Sequence, residues 1–341
     1  MSGLMAETIR SAEALAALEP AWWAVWRRSP DAAPFLSPAW LLPWWEAFAP
    51  GRLATIAVWR GADLVGLAPF YVEDGPEGGR RLPVGVSLSD QLDVLADPAD
   101  RGAVLAALAG AAAQRPEPLL WLELEPGACA WDAPVPPGWR EERGEGEACP
   151  VLSLAGACEV GGRDADGMPL AVPARRRRKL RMARHRAERR GAVRVETAQD
   201  VGCAPFLDEL ERLHGSRWTS RGEAGVLADE AVRVFHRRAL PRLLAAGLAE
   251  TALLRIGGVA AGAYYGLRDQ RRSYAYIGGF DPDFARESPG AILLGRAIAA
   301  AADRGAEAFS FLRGREDYKY EWGAADRLNG WRRLSPERPD G

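Results

Sequence analysis

Residues 311–323 read FLRGREDYKYEWG and follow the run AFSF, whose alternation predicts a buried strand. Arg313, Arg315, Glu316, Asp317, Tyr318 and Lys319 therefore crowd the carboxyl end of that strand, which is where α/β proteins bind ligands. An ammonium at Lys319 could stabilise charge developing on an acyl oxygen. Glu316 could take a proton from an amine or hydroxyl nucleophile, and Tyr318 could deliver one to a leaving group. Arg313 and Arg315 could hold an anionic substrate. The same residues also read as a charged surface turn stapled by an i,i+3 pair between Glu316 and Lys319.

A second stretch suits phosphate. ESPGAILLGRAIAAAADRG, residues 287–305, has Ser288 placed as a helix N-cap, Pro289 in the first turn and Gly305 past the end. Gly290 and Ala291 leave the first turn without bulk, so its backbone N–H groups could hold a phosphate or pyrophosphate. The strand before it ends in YAYIGGF, and Gly278 and Gly279 are expected to open or bulge it. Tyr276, Gly278, Gly279, Ser288, Pro289, Gly290 and Ala291 would then line a slot for a long ligand with a phosphate head. A well-capped core helix is the plainer alternative.

A third stretch is ARRRRKLRMARHRAERR, residues 174–190, with ten basic residues and one acid. The whole chain carries 44 basic and 46 acidic residues, so the remainder holds 34 against 45. The positive charge is one local feature of an acidic chain, unlike a general nucleic-acid coat. Leu180, Ala183 and Ala187 share a stripe, Pro173 precedes the helix and Gly191 closes it. Cations in the first turns oppose the helix dipole, and an anionic partner at Arg175 and Arg178 would relieve this. A nucleotide-linked sugar, the phosphate end of a coenzyme or tRNA would serve. A linker helix pinned by salt bridges to an acidic body is the competing reading. DNA binding is disfavoured, since no recognition-helix pair accompanies the run.

The elements that must position these residues follow from pattern. A helix is expected over 37–49, a hairpin over 53–74, a helix over 101–114 and a strand over 119–125. Residues 126–150, rich in Pro, Gly and charge, read as a loop, followed by an edge strand at 151–154. Residues 156–169 are the boundary candidate on composition. After the basic helix come a strand at 192–198, helices at 204–217 and 228–246, and strands at 249–256, 259–267 and 272–279. A helix over 288–304 and a strand over 306–314 follow. YKYEWG and GWRRLS are expected to be strands about a short loop. Trp22, Trp23, Trp26, Trp40, Trp44 and Trp45 have helical spacing and read as core before sugar-stacking platform. Cys129, Cys149, Cys158 and Cys203 are scattered, and His185, His214 and His236 lie at no metal-ligand spacing from them. No metal site or disulfide framework is expected. No apolar run reaches the length of a spanning helix and no leader is visible, so a soluble cytoplasmic protein is expected.

These residues carry a resemblance. Phe280, Ser288-Pro289-Gly290, Leu293-Leu294, Ile298, Ala301, Gly305, Phe309, Phe311-Leu312-Arg313-Gly314, Tyr318-Lys319 and Trp322, with the order of elements from 192, resemble the GNAT acyltransferase superfamily. More narrowly they resemble the CelD-type, BioF2-like acetyltransferase domain of exopolysaccharide and cellulose clusters. The basic segment is similar to one that precedes the first strand in that family. PFLSPAWLLPWWEAF, residues 34–48, is similar to the first half of the same proteins. The resemblance implies an α/β fold of two tandem GNAT-like halves, each a mixed twisted sheet flanked by helices. The expected division is 1–158, a linker with the basic helix at 159–191, and the acetyltransferase domain at 192–341.

The implied activity is transfer of an acetyl or other acyl group from acetyl-CoA, within a ternary complex, to an amine or hydroxyl of a sugar or envelope precursor. The donor pyrophosphate would sit on Ser288–Ala291 and its pantetheine arm along Tyr276–Gly279. The ending is also similar to that of Fem-type aminoacyltransferases, whose F-K-x-x-F-G segment matches residues 318–323 and places its lysine at Lys319. That alternative implies aminoacyl-tRNA as donor. Two departures stand out. Ser310 replaces the family's aspartate, which also admits a degenerate, non-catalytic partner in polysaccharide synthesis. RESPGA, residues 286–291, stands where ordinary GNAT enzymes carry a Q/R-x-x-G-x-G/A loop.

Overall fold

Alternating apolar residues over 249–280 fold as three antiparallel strands, Ala249–Ile256, Val259–Arg268 and Arg272–Phe280, in the computed structural model of the chain. The structure describes residues 3–75, 79–157, 159, 162–219 and 222–337. Cys158, one of the four thiols noted above, lies outside them. The chain divides into two compact units, one of residues 1–147 and 327–341, the other of residues 148–326.

In the second unit the sheet order is Val193–Glu196, Ala249–Ile256, Val259–Arg268, Arg272–Phe280, Ala308–Ser310 and the end of Trp139–Ser153. Every pairing is antiparallel except that between Arg272–Phe280 and Ala308–Ser310. A parallel neighbour needs a crossover, and the helix Pro289–Asp303 supplies it. That helix buries Ile292, Leu293, Ala297, Ile298 and Ala301 in one cluster with Leu180, Ala183 and Ala187 of the basic helix Ala174–Arg190. The two helices meet at Gly295, where an added Cβ would come within 3.2 Å of the Trp322 ring and closer still to Leu180. Helices Cys203–Thr219 and Glu230–Ala245 complete the unit.

Composition placed a boundary at 156–169, yet Ala157, Met168 and Val172 are buried in the core of the second unit. The chain leaves the first unit inside the strand Trp139–Ser153 and returns inside Ala325–Pro336. The fifteen-residue strand corrects the expected loop at 126–150. Its charges occupy exposed and half-exposed positions over 139–147, so a solvent-facing strand looked like a polar linker.

In the first unit Leu4–Ile9, Thr55–Arg60, Asp63–Ala68 and Leu95–Ala96 form an antiparallel sheet. Helix Arg101–Ala113 buries Val104, Leu105 and Leu108 in its core. Phe70–Glu73, Arg80–Pro83 and Leu119–Leu124 form further strands, the last two parallel. Trp22, Trp26, Trp40, Trp44 and Trp45 are buried. The indoles of Trp22 and Trp26 donate to Leu36 O and Ala33 O at 2.9 and 3.1 Å, which is core packing.

Candidate active site

Strand divergence creates the site. Arg272–Phe280 pairs with Ala308–Ser310 only from Arg272↔Ala308 to Tyr274↔Ser310. Beyond Tyr274 it stays paired on its other side up to Gly262↔Phe280. Phe311 and Gly314 instead donate to Pro150 O and Ala148 O at 2.9 and 3.1 Å. The two parallel strands thus part at their carboxyl ends. Gly278 and Gly279 do not cause this, contrary to the sequence expectation. Both remain in register with Tyr264 and Ala263, and the bulge falls between Tyr265 and Gly266. A Cβ at Gly279 would strike the backbone of Leu213 and His214, so this glycine lets the helix Cys203–Thr219 cross the strand.

The helix start differs from expectation too. Ser288 occupies the N-cap position with φ 53°, but its side chain makes no cap bond. Its hydroxyl donates weakly to Ala285 O at 3.4 Å. Ala291 and Ile292 both donate to Ser288 O, and Pro289 has no N–H. Gly290 is left as the first-turn amide with no hydrogen bond among the described residues. It is exposed, and the nearest atom to an added Cβ is Phe280 Cδ1 at 3.9 Å. Pro289 packs on Gly262, opposite Phe280, where a Cβ would lie 3.0 Å from the proline. The open amide therefore stands beside the diverging strand end.

Lys319 is the most constrained residue of the turn. It is 3% exposed, and its ammonium donates to Leu312 O and Gly314 O at 3.1 Å each and also to Arg313 O. Glu316 Oε2 lies 3.0 Å away. Three protons thus face four oxygens, three of them consecutive carbonyls. These carbonyls converge because Leu312 and Gly314 have φ of 59° and 104°. Ser310 Oγ supports the bend by accepting the Leu312 N–H at 3.2 Å. Residues 317–320 form a short helix, correcting the expected strand: a lysine reaching back over five to seven residues closes a loop that an extended chain would open.

Glu316 is exposed and Tyr318 is 38% exposed. The Glu316 carboxyl sits over Gly314, where an added Cβ would lie 3.1 Å from its carbon. Arg315 pairs with Asp326 at 3.2 Å, while Arg313 is half-buried at the start of the turn. Tyr276 is half-buried on the diverging strand, its ring 5.6 Å from that of His236 and 5.7 Å from that of Tyr265. Burial, with a smaller push from His214, lowers the His236 imidazole to about 3. Lone histidines on the helices Cys203–Thr219 and Glu230–Ala245 gave no sequence signal for this cluster.

The basic helix divides its cations in two. Arg176 and Lys179 hold Glu321 at 2.7 and 3.0 Å, and Arg177 holds Asp164 at 2.8 Å. Arg181 pairs with Asp166 at 3.1 Å, and Arg190 with Glu287 at 2.9 Å. Arg176 also lies 4.2 Å over the Trp322 ring. The helix is thereby pinned beside Ser288 at one end and beside Lys319 at the other, about 21 Å apart along its axis. Arg175, Arg178 and Arg189 are exposed and make no ion pair or hydrogen bond among the described residues. Their spacing puts them on one stripe with Met182 and His185.

Among the described residues no group of three His, Cys, Asp or Glu side chains converges as metal ligands. No helix among them is long and apolar enough to cross a membrane.

Parallel strands splayed at one end, with a crossover helix starting beside the gap, define a GNAT-type acyltransferase fold. Residues 174–320 match the family model described as an acetyltransferase (GNAT) domain, so this part of the chain carries a GNAT-type domain. None of the curated proteins matches it significantly in sequence. Among solved structures, FemX is similar with a TM-score of 0.66 and 13% identity, covering 96% of each chain. L-PGS from Bacillus licheniformis is similar with a TM-score of 0.56 and 14% identity, covering 92% of this chain and 90% of that one. A conserved protein of unknown function from Bacteroides thetaiotaomicron gives 0.51 and 11%, covering 96% and 100%. At these identities the likeness is one of fold.

Proposed function

We propose that the protein transfers an acetyl group from acetyl-CoA to an amine or hydroxyl of a sugar or cell-envelope precursor in the cytoplasm. The observation that carries this is the strand divergence after Tyr274 with the exposed Gly290 amide beside it. The diphosphate would take the Gly290 N–H and the positive end of the helix dipole. The pantetheine arm would lie along Tyr276–Gly279, where the strand has diverged from its parallel neighbour. This fits the residues present: the first turn carries no side chain large enough to block it.

In the proposed reaction the acceptor heteroatom attacks the thioester carbon, the C–S bond breaks and the acceptor proton passes to Glu316, which is exposed to receive it. Tyr318 returns a proton to the departing thiolate. Lys319 acts first by holding the carbonyls of 312–314 in place. Its charge lowers the cost of a nearby oxyanion without donating directly, because its protons already face protein oxygens. Arg313 and Arg315 would orient an anionic acceptor.

Aminoacyl-tRNA as donor is the second reading, favoured by the stripe of Arg175, Arg178 and Arg189, which make no ion pair among the described residues. Phosphates would neutralise such a stripe with a steep salt dependence. The test is thiol release from acetyl-CoA with amino-sugar and sugar acceptors, run beside transfer from aminoacyl-tRNA. Acetyl-CoA turnover that survives Arg175→Glu with Arg178→Glu supports the first reading. Transfer from tRNA alone, abolished by those changes, replaces it with the second.

A further inference from the structure

Along the helix Pro289–Asp303, two adjoining hollows of about 350 and 480 Å³ share Arg296, Ala300 and Asp303 as a common wall. The lining runs along the helix from Ile292 and Leu293 to Asp303 and Arg304, and includes neither Gly290 nor any residue of the strand Arg272–Phe280 or the turn at 311–319. Thr251 and Tyr264 line the first hollow, and Ala187, Val193 and Ile292 line the second.

The charges in the groove are incompletely matched. Asp303 pairs with Arg163, Glu188 with His185, and Arg268 donates to Gly247 O at 2.7 Å. Arg304 pairs with one oxygen of Glu250 and donates to Ser273 Oγ at 2.6 Å. Arg184 and Arg296 make no hydrogen bond or ion pair among the described residues. Glu250 Oε2 is shut from solvent and accepts no hydrogen bond there. Burial raises the Glu250 carboxyl against the opposing pull of Arg304, Arg268 and Arg296. A buried acceptor without a donor is costly. An exposed guanidinium alone is ordinary, but here Arg184 lines one hollow, Glu250 lines the other and Arg296 lines both.

We propose that this groove binds a small molecule carrying both an anionic group and an amino group. The anion meets Arg296 and Arg184, and the amine meets the Glu250 carboxyl where it lines the first hollow. Free amino acids and amino-sugar phosphates share this chemistry. The site lies outside the acyl-donor reading and does not depend on it.

The test is calorimetric titration of the full chain with lysine, glycine, glucosamine 1-phosphate, glucose 1-phosphate and inorganic phosphate. At least one amine-bearing ligand is expected to bind saturably, about tenfold or more tighter than its amine-free counterpart. Which one binds separates an amino-acid ligand from an amino-sugar phosphate. Arg296→Gln should weaken it at least tenfold, and Glu250→Gln should remove the preference for the amine. Ala300→Leu, which fills the groove without changing a charge, should abolish binding while acetyl-CoA titrates as in the wild type. If Glu250→Gln fails to fold, the other two variants carry the test. Saturable binding by no ligand, or binding unchanged in Arg296→Gln and Ala300→Leu, overturns the site. Failure of acetyl-CoA alone would sink the donor reading and leave this one standing.

Discussion

Lys319→Met removes one buried ammonium and strands three carbonyls. Each charge-assisted bond in isolation is worth roughly 1.5–3 kcal/mol, but three bonds from one group are not additive. Two of the carbonyls belong to half-exposed residues, Arg313 and Gly314, so both regain water. Breaking a buried pair of this kind costs about 3–5 kcal/mol, the range expected here. For a unit of this size that corresponds to a fall in melting temperature of about 10 °C. Methionine keeps the length and apolar volume of the stem, so lost packing contributes little. The assay is thermal unfolding by circular dichroism at pH 7, with Glu316→Gln as comparison. Glu316 is exposed, and its loss should cost under about 1 kcal/mol while turnover drops. If Lys319→Met unfolds within about 1 kcal/mol of the wild type, the lysine does not hold the turn. Its ammonium would then be free to meet substrate directly, and the reasoning above would be wrong.

Gly279→Ala should destabilise by about 2–4 kcal/mol, read by urea unfolding, because the new methyl strikes the helix backbone; a neutral result would mean the helix sits elsewhere. Burial holds His236 at about 3, below its unfolded value, so stability is full above about pH 6.5 and falls as acid protonates the unfolded chain. Between pH 7 and 5 the wild type should lose about 2 kcal/mol relative to His236→Phe; parallel curves would show that the imidazole is not buried neutral. Charge reversal at Arg175 and Arg178 should leave the fold intact, since neither makes an ion pair among the described residues, whereas Arg177→Glu should lower the melting point by losing Asp164 at 2.8 Å. Equal effects would refute the division of the basic helix into pinned and open cations.

Period and capping made most elements of the second unit readable. The helix Pro289–Asp303 and the basic helix appear where Pro, Gly and apolar spacing place them. What stayed hidden is long-range. Residues 139–147 look like linker because a strand with exposed charges has no apolar rhythm. The helical turn at 317–320 looks extended because its cause is Lys319 folding back on carbonyls that only positive φ at Leu312 brings together. The Ser288-Pro289 start signalled a helix correctly, but not that Ser288 would be left-handed and leave a single open amide. Ser310 looked like a lost acid, yet its hydroxyl supports the bend locally. The His236–Tyr276–Tyr265 cluster joins residues up to forty positions apart, which no local pattern records.

Calorimetric titration of acetyl-CoA into the wild type and into Gly290→Asp is the most direct test of the donor site. The new carboxylate has room, since only Phe280 approaches the position, so folding should be untouched. The account predicts saturable binding by the wild type and a loss of at least about tenfold in the variant, from repulsion of the diphosphate at the helix start. Equal affinity in both proteins, or no binding by the wild type, would contradict it.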